Sequence, residues 1–283
     1  MTMPYTTLIA AADVRVSIDA GEPIVVLDIS FDLADIAAGE RSYRESHLPG
    51  ARYMHVDRDL SATKTGTNGR HPLPNRETFA ATAGRFGVAP GTKVVVYDRQ
   101  GAMFAVRAWW MLRWLGHSAV AVLDGGLAAW QRAGGGLETG ERDSAALPPY
   151  PLGEPLVPTI DADTLASRLG VVGVIDARAP ERFRGEVEPL DAQAGHIPGA
   201  RNRFFKDNLD ADGRFKSAGQ LRAEFEPLLA ARHPAQVVHQ CGSGVTACHN
   251  LLAMEIAGLA GSALYPGSWS EWSADPSRPV ARG

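Results

Sequence analysis

The sequence is poor in the features that mark several classes of protein. Its 283 residues include only two cysteines, 7% are aromatic, and the formal net charge is −4. Such a balance offers no basic surface for nucleic acid or for a membrane. No apolar run reaches the ~18 residues of a membrane span, and the first residues lack the pattern of a signal peptide. We therefore expect a cytoplasmic protein without a structural disulfide, a nucleic-acid partner or a membrane association.

What the chain does contain is an internal repeat. The apolar run Ile24–Asp28 reappears at 171–176, and His-Leu-Pro-Gly-Ala at 47–51 reappears as His-Ile-Pro-Gly-Ala at 196–200. In both copies, short apolar runs alternate with segments of helical periodicity, which is typical of a parallel sheet covered by helices. The sequence therefore predicts two tandem copies of one α/β unit.

The domain boundaries follow from this repeat. A stretch rich in glycine and proline separates the copies, and we interpret it as an extended, fairly stiff linker. We predict a first domain over residues 1–134, a linker over 135–157 and a second domain over 158–283. The chain is long enough for each domain to bury a core of its own.

The stretch from Val237 to Leu252 carries the strongest chemical signal. A β-branched run ends near Cys241, a polar loop with glycines at 242 and 244 follows, and a helical pattern begins at Ala247. A strand, a tight loop and a helix in this order bring main-chain N–H groups together around the thiol. The positive end of the helix favours the thiolate, which is the nucleophilic form of cysteine. We therefore interpret Cys241 as a nucleophile.

The first copy has no counterpart of this thiol. Its equivalent segment is Asp-Arg-Gln-Gly-Ala at 98–102, and Arg99 falls opposite Cys241 when the copies are aligned. We expect an inactive first domain, and a reactive site at the carboxyl end of the strand that precedes Cys241. Cys248, at the start of the following helix, is interpreted as a small packing group, with a resolving thiol as the alternative.

The sequence Cys-Gly-Ser-Gly-Val-Thr-Ala-Cys at 241–248, together with the repeat, resembles the tandem-domain rhodanese family of sulfurtransferases. The loop is similar to that of the branch that uses 3-mercaptopyruvate, whereas the thiosulfate-preferring branch carries Cys-Arg-Lys-Gly-Val-Thr. The resemblance covers almost the whole chain. It implies two domains, each a parallel five-stranded sheet flanked by helices.

The resemblance also implies a reaction. A sulfane sulfur would move from 3-mercaptopyruvate to a thiol or cyanide acceptor through a persulfide on Cys241. Thiosulfate sulfurtransferase activity is the alternative, and a non-catalytic persulfide carrier or regulatory module is a weaker one. No cofactor or metal is expected, because the thiolate itself carries the sulfur. The implied partners are the small-molecule donor, the acceptor and a thioredoxin-like reductant.

The resemblance assigns roles to further residues. Ser243, His71 and Asp57 match the three polar residues that are thought to work together in the 3-mercaptopyruvate enzymes. Arg182 matches the arginine that holds the anionic end of the donor, which a planar guanidinium group can grip through two hydrogen bonds. The loop residues assigned to substrate binding are Gly242, Gly244, Val245 and Thr246.

One departure leaves the choice of donor open. The 3-mercaptopyruvate enzymes carry a second arginine in an acidic, proline-containing segment, where this chain has Glu-Val-Glu-Pro-Leu-Asp at 186–191. Without this arginine, either carboxylate recognition is weaker or Arg70, Arg99 or Arg184 supplies it. A phosphatase with a related cysteine loop is disfavoured, because Ala247 occupies the position where its Cys-x5-Arg loop needs arginine.

Overall fold

The computed structural model describes residues 6–142 and 146–283. The chain divides into two compact units. The first contains Met1–Ser61, Pro74–Leu156 and Asp212–Arg214, and the second contains Ala62–Leu73, Val157–Ala211 and Phe215–Gly283. A short stretch of the predicted first domain, Ala62–Leu73, thus belongs to the second unit. The predicted linker over 135–157 includes residues 143–145, which lie outside the described residues, and the predicted domain boundaries stay a prediction.

The first unit is built on a five-stranded parallel sheet. Its strands are β1 (Leu8–Ile9), β2 (Ile24–Asp28), β3 (Arg52–Tyr53), β4 (Lys93–Tyr97) and β5 (Val120–Leu123). Its helices are α1 (Ala11–Asp19), α2 (Ala38–Glu45), α3 (Val56–Asp59), α4 (Arg76–Arg85), α5 (Ala105–Trp114) and α6 (Gly126–Arg132). The strand order is β1-β5-β4-β2-β3. The central strands β2 and β4 are almost continuously apolar and buried, as strands of a parallel sheet must be when both faces are covered.

The second unit repeats this design with a shorter sheet. Its strands are β6 (Gly173–Asp176), β7 (Arg201–Asn202), β8 (Val237–Gln240) and β9 (Ala263–Leu264), all parallel, in the order β7-β6-β8-β9. Its helices are α7 (Ala162–Ser167), α8 (Pro180–Phe183), α9 (Ala218–Leu229), α10 (Ala247–Ile256) and α11 (Ser268–Trp272), with 3-10 turns at Phe205–Asn208 and Pro234–Gln236. A single parallel bridge between Thr159 and Leu264 takes the place of a fifth strand.

The two units share local details as well as topology. His47 and His196 each place Nδ1 2.8 Å from a carbonyl oxygen, that of Tyr43 in the first unit and that of Phe183 in the second. Each imidazole also stacks on the ring of the same partner, with centroids 4.2 and 3.9 Å apart. This pairing explains why the His-x-Pro-Gly-Ala sequence occurs twice. The prediction of two parallel α/β units flanked by helices is confirmed.

Candidate active site

The loop after β8 carries the predicted nucleophile. β8 is an inner strand of the second sheet, between β6 and β9, so the loop at its carboxyl end is flanked by strands on both sides. Cys241 follows directly and is only 1% exposed, and α10 begins at Ala247. Gly244 has a φ of +77°, and a Cβ at this position would collide with the carbonyl oxygen of Pro266. Glycine is therefore required for the loop to curl around the thiol.

The start of α11 holds this loop in place. The N–H of Cys241 donates to Ser268 Oγ over 3.1 Å, and the Ser268 hydroxyl donates to the carbonyl oxygen of Tyr265 over 2.9 Å. The next two residues of α11 donate their main-chain N–H groups to the carbonyl oxygens of Cys241 and Gly242, at 3.0 and 2.9 Å. Ser268 has a φ of +54°, a conformation that a residue with a side chain rarely adopts.

The segment Ala62–Leu73 brings His71 to the same loop. The N–H of Arg70 donates to Ser270 Oγ over 3.0 Å, which ties the segment to α11. His71 Nδ1 then lies 2.7 Å from Ser243 Oγ, and both side chains are buried. His71 and Ser243, two of the three polar residues that the resemblance groups together, are therefore hydrogen-bonded to each other. Ser243 lies two residues after Cys241 in the sequence.

Two guanidinium groups flank the residue that follows Cys241. A Cβ built on Gly242 would lie 2.6 Å from Arg70 Nη2 and 3.5 Å from Arg182 Nη1. The missing side chain at this position thus lets both arginines approach the main chain beside the thiol. Their side chains are 26% and 19% exposed, so both remain reachable from solvent. This arrangement suits the recognition of a small carboxylate or another oxyanion.

Two buried carboxylates fix these arginines from the other side. Asp191 accepts from Arg70 Nη1 through Oδ1 and from Arg182 Nη2 through Oδ2, the latter over 3.2 Å. Glu188 Oε1 accepts from Arg182 Nη2 over 2.6 Å, and its Oε2 lies 3.4 Å from Arg178 Nη1. Burial raises the pKa of the Asp191 carboxyl group, an effect that the neighbouring arginines oppose.

Two of the predicted residues belong to the first unit. Asp57 belongs to the first unit, in the first turn of α3, where its N–H donates to Nδ1 of the capping residue His55 over 3.1 Å. Arg99 also belongs to the first unit, and its Nη2 donates to the carbonyl oxygen of Ser42 over 2.8 Å. The catalytic role predicted for Asp57 stays a prediction.

Arg184 and Cys248 have local partners in the second unit. Arg184 is exposed and pairs with Glu186 over 2.7 Å. Cys248 is fully buried, and its Sγ lies 3.5 Å from the carbonyl oxygen of Gly244. Of the three candidates for the missing arginine, Arg70 is thus the one that reaches Gly242.

Sequence reasoning missed the residues that hold the site together. In the sequence, Asp191 and Glu188 drew attention only because their segment lacks the expected arginine. Leu190, in the same segment, is exposed. Ser268 and Ser270 follow a glycine turn, and nothing in their spacing points to Cys241. The one signal in the sequence was that Glu188 and Asp191 lie in the segment where the expected second arginine is absent.

Other features do not form part of the site. A cavity of about 510 Å³ in the second unit has Pro158, Arg168 and Val237 among its lining residues. Within residues 6–142 and 146–283, no three His, Cys, Asp or Glu side chains are grouped as metal ligands. No helix in the same ranges has both the length and the apolar character needed to cross a membrane.

Comparisons with known proteins agree with this geometry. The rhodanese-like domain family matches residues 10–133 and 161–275. A probable 3-mercaptopyruvate sulfurtransferase of Pseudomonas aeruginosa is 50% identical over 92% of this chain and 93% of its own length. A putative thiosulfate sulfurtransferase of Mycobacterium tuberculosis is 42% identical over 98% of this chain and 97% of its own. The solved 3-mercaptopyruvate sulfurtransferase from Leishmania major superposes with a TM-score of 0.84 at 31% identity, covering 96% of this chain and 75% of that one.

The chain belongs to the rhodanese-like domain family, and both of its units are members. The family predicted from the cysteine loop and the repeat is therefore confirmed.

Proposed function

We propose that this chain is a sulfurtransferase that moves a sulfane sulfur from 3-mercaptopyruvate to a thiol or cyanide acceptor through a persulfide on Cys241. Relatives that are similar over nearly their whole length carry this activity in their names. Cys241 lies between the end of β8 and the start of α10, and the nucleophilic form of a cysteine is its thiolate. Two free cysteines suit the reducing cytoplasm that we propose as the location.

The proposed reaction balances with groups on this chain. The Cys241 thiolate attacks the sulfur of the donor, a new S–S bond forms, and the C–S bond breaks. The electron pair of that bond stays on carbon as the enolate of pyruvate, which then takes up one proton. The persulfide later gives its outer sulfur to the acceptor and regenerates the thiolate. The implied thioredoxin-like reductant would act in that second half of the reaction as a dithiol acceptor.

The hydrogen bond between His71 and Ser243 is the observation that carries the choice of donor. The enolate that leaves 3-mercaptopyruvate needs a proton, and the Ser243 hydroxyl can supply it while His71 replaces it. Thiosulfate leaves sulfite, which is a stable anion without such a need. A buried proton-transfer pair next to the thiol therefore favours the carbon leaving group. Arg70 and Arg182 bind the donor carboxylate in this proposal.

Thiosulfate is the second candidate donor. The exposed Leu190 in place of an arginine favours it, and so does the name of the mycobacterial relative. Steady-state kinetics with both donors separate the two proposals. We expect the larger kcat/KM with 3-mercaptopyruvate, and a larger value with thiosulfate would overturn the choice of donor.

The persulfide itself is tested by mass spectrometry after incubation with donor alone. We expect a gain of one sulfur on the peptide that contains Cys241, and its loss on addition of cyanide. Cys241→Ser should abolish both the labile mass and turnover. Cys248→Ser is the matched control because it removes the other thiol, and it should retain most of the activity. Equal loss in both variants would point to a dithiol mechanism instead.

A further inference from the structure

Asp191 is the residue that joins the two arginines of the proposed donor site. Its two carboxylate oxygens take one guanidinium group each, Oδ1 from Arg70 and Oδ2 from Arg182. The contacts use Nη1 of Arg70 and Nη2 of Arg182, whereas the nitrogens nearest to Gly242 are Nη2 of Arg70 and Nη1 of Arg182. Each guanidinium group is thus held at one nitrogen and presents another beside the thiol loop.

The carboxylate is itself held in place by its own segment. Glu188 Oε1 accepts the main-chain N–H groups of Leu190 and Asp191 at 3.1 and 3.2 Å, so the turn that carries Asp191 is closed by a side chain. Only 4% of the Asp191 side chain is exposed. A buried carboxylate in a closed turn is a rigid support for two flexible arginines.

The formal charges of the ion-pair network beside the loop cancel among the described residues. The linked groups are three guanidinium groups and three carboxylates, namely Arg70, Arg178, Arg182, Asp176, Glu188 and Asp191. Two arginines next to a thiol would otherwise attract any small anion, and would attract a doubly charged one most. The acidic partners therefore reduce the charge of the site without removing its hydrogen-bond donors.

We propose that Asp191 is a positioning residue that sets donor specificity, because it aims Arg70 and Arg182 at the donor and offsets enough charge to favour a monoanion over a dianion. 3-Mercaptopyruvate carries one carboxylate charge, whereas thiosulfate carries two. This inference rests on the proposed function, because it concerns the choice between these two donors at the same site.

The two proposed roles of Asp191, its negative charge and its positioning of the arginines, affect the kinetics differently. Loss of the anchor raises KM for both donors, because both use the same arginines. Loss of one negative charge improves the binding of a dianion about twice as much, in free energy, as that of a monoanion. The ratio of kcat/KM for thiosulfate to kcat/KM for 3-mercaptopyruvate therefore isolates the charge effect.

The experiment compares Asp191→Asn with Glu186→Gln in the full-length chain. Both variants remove one negative charge from the same segment, but Glu186 is exposed and pairs with the exposed Arg184. We expect the thiosulfate to 3-mercaptopyruvate ratio to rise roughly tenfold in Asp191→Asn, mainly through KM, and to stay at the wild-type value in Glu186→Gln. An unchanged ratio in Asp191→Asn, or an equal rise in Glu186→Gln, overturns the proposal.

A second variant keeps the test decisive if Asp191→Asn does not fold. Arg70→Gln removes a positive charge from the same ion pair, so the ratio should fall instead of rise, and no change would overturn the proposal.

Measurements on the wild-type protein distinguish a failure of this inference from a failure of the proposed function. Faster turnover of thiosulfate or the absence of a Cys241 persulfide in the wild type defeats the proposed function, whereas an unchanged ratio in the variants defeats only the role of Asp191.

Discussion

The two copies of the rhodanese-like unit carry different residues in the loop that follows the equivalent strands β4 and β8. In the first unit, the loop between β4 and α5 closes on the fully buried carboxylate of Asp98. This carboxylate accepts four main-chain N–H groups at 2.8 to 2.9 Å, from Gln100, Ala102, Phe104 and Ala105. The loop therefore contains its own bound anion, and its hydrogen-bond donors are already in use.

In the second unit, Gln240 occupies the position of Asp98, and Cys241 that of Arg99. Gln240 is neutral and fully buried, and neither polar atom of its side chain has a hydrogen-bond partner among the described residues. The second unit thus lacks the internal carboxylate at this position, and in the proposed reaction the negative charge of the loop belongs to the sulfur of Cys241. We therefore expect the residue before Cys241 to decide whether a carboxylate occupies the N–H groups of the loop.

The two copies share a left-handed backbone conformation at two equivalent positions. Ala102 has a φ of +66° where the second unit has Gly244 at +77°, and Gly126 has a φ of +54° where the second unit has Ser268 at +54°. A Cβ at Gly126 would collide with the carbonyl oxygen of Asp98. Only the second unit can place a side chain there, and it uses the hydroxyl group to hold the N–H of Cys241.

The largest loss of activity is expected when the buried carboxylate of the first unit, Asp98, is introduced at the equivalent position of the second unit, Gln240. Gln240→Asp should lower kcat/KM roughly a hundredfold or more, since a carboxylate near the thiolate costs about 3 kcal/mol at an effective dielectric constant of ~20. The carboxylate would also compete for the loop N–H groups, as Asp98 does. Persulfide formation on Cys241, measured by mass spectrometry after a short incubation with donor, reports the loss.

Gln240→Asn is the matched control for this substitution. Asparagine has the size of aspartate without the charge, so it should retain most of the activity while the free energy of unfolding changes little. If the two variants lose activity equally, the shape of the side chain matters and the proposed competition between anions is wrong.

Much of the architecture was predictable because it depends on local sequence. The apolar runs of β2 and β6, the repeated His-x-Pro-Gly-Ala segment and the alternation of strands with helices specify two parallel α/β units without any long-range information. That the second sheet has four strands in the described structure, and not five, was not predictable in this way. Around Thr159 the chain makes one bridge only, since prolines on its N-terminal side restrict main-chain pairing.

The site was predictable only as far as single motifs reach. Cys241, Ser243 and the two loop glycines lie in one stretch, so their proximity follows from sequence spacing. The neighbourhood of Arg70, Asp191 and Gly242 depends on tertiary packing of segments that are far apart in the chain. The positive φ of Ser268 is also set by tertiary contacts, because local preference alone would favour glycine there.

A smaller effect is expected at Ser268, where the second copy departs from the glycine of the first. Ser268→Gly restores the residue of the first unit and removes the acceptor of the Cys241 N–H. We expect kcat/KM to fall about fivefold, since one hydrogen bond that positions Cys241 contributes about 1 kcal/mol. The free energy of unfolding should change by less than about 1 kcal/mol, because relief of the left-handed conformation offsets the lost bonds. Steady-state kinetics and urea denaturation measure the two quantities.

Ser268→Ala separates the hydroxyl group from the backbone. It should lose the same activity and be less stable than Ser268→Gly by about 1 kcal/mol, because alanine keeps the strained φ without the hydrogen bonds. Full activity in either variant would show that Ser268 does not position Cys241.

The smallest effect concerns His239, which takes the place of Tyr97 in the strand before the loop. Burial lowers the pKa of His239 to about 3, and its Nε2 lies 2.9 Å from Met254 Sδ. Since the imidazole stays neutral in the folded chain but gains a proton near pH 6.5 when unfolded, its contribution to stability is complete above that pH and is lost as the pH falls towards 3. Between pH 7 and pH 5.5, the free energy of unfolding should therefore fall by about 1 kcal/mol more in the wild type than in His239→Leu. Urea denaturation at both pH values measures this difference, and equal pH dependence in the two proteins would mean that His239 binds a proton without unfolding.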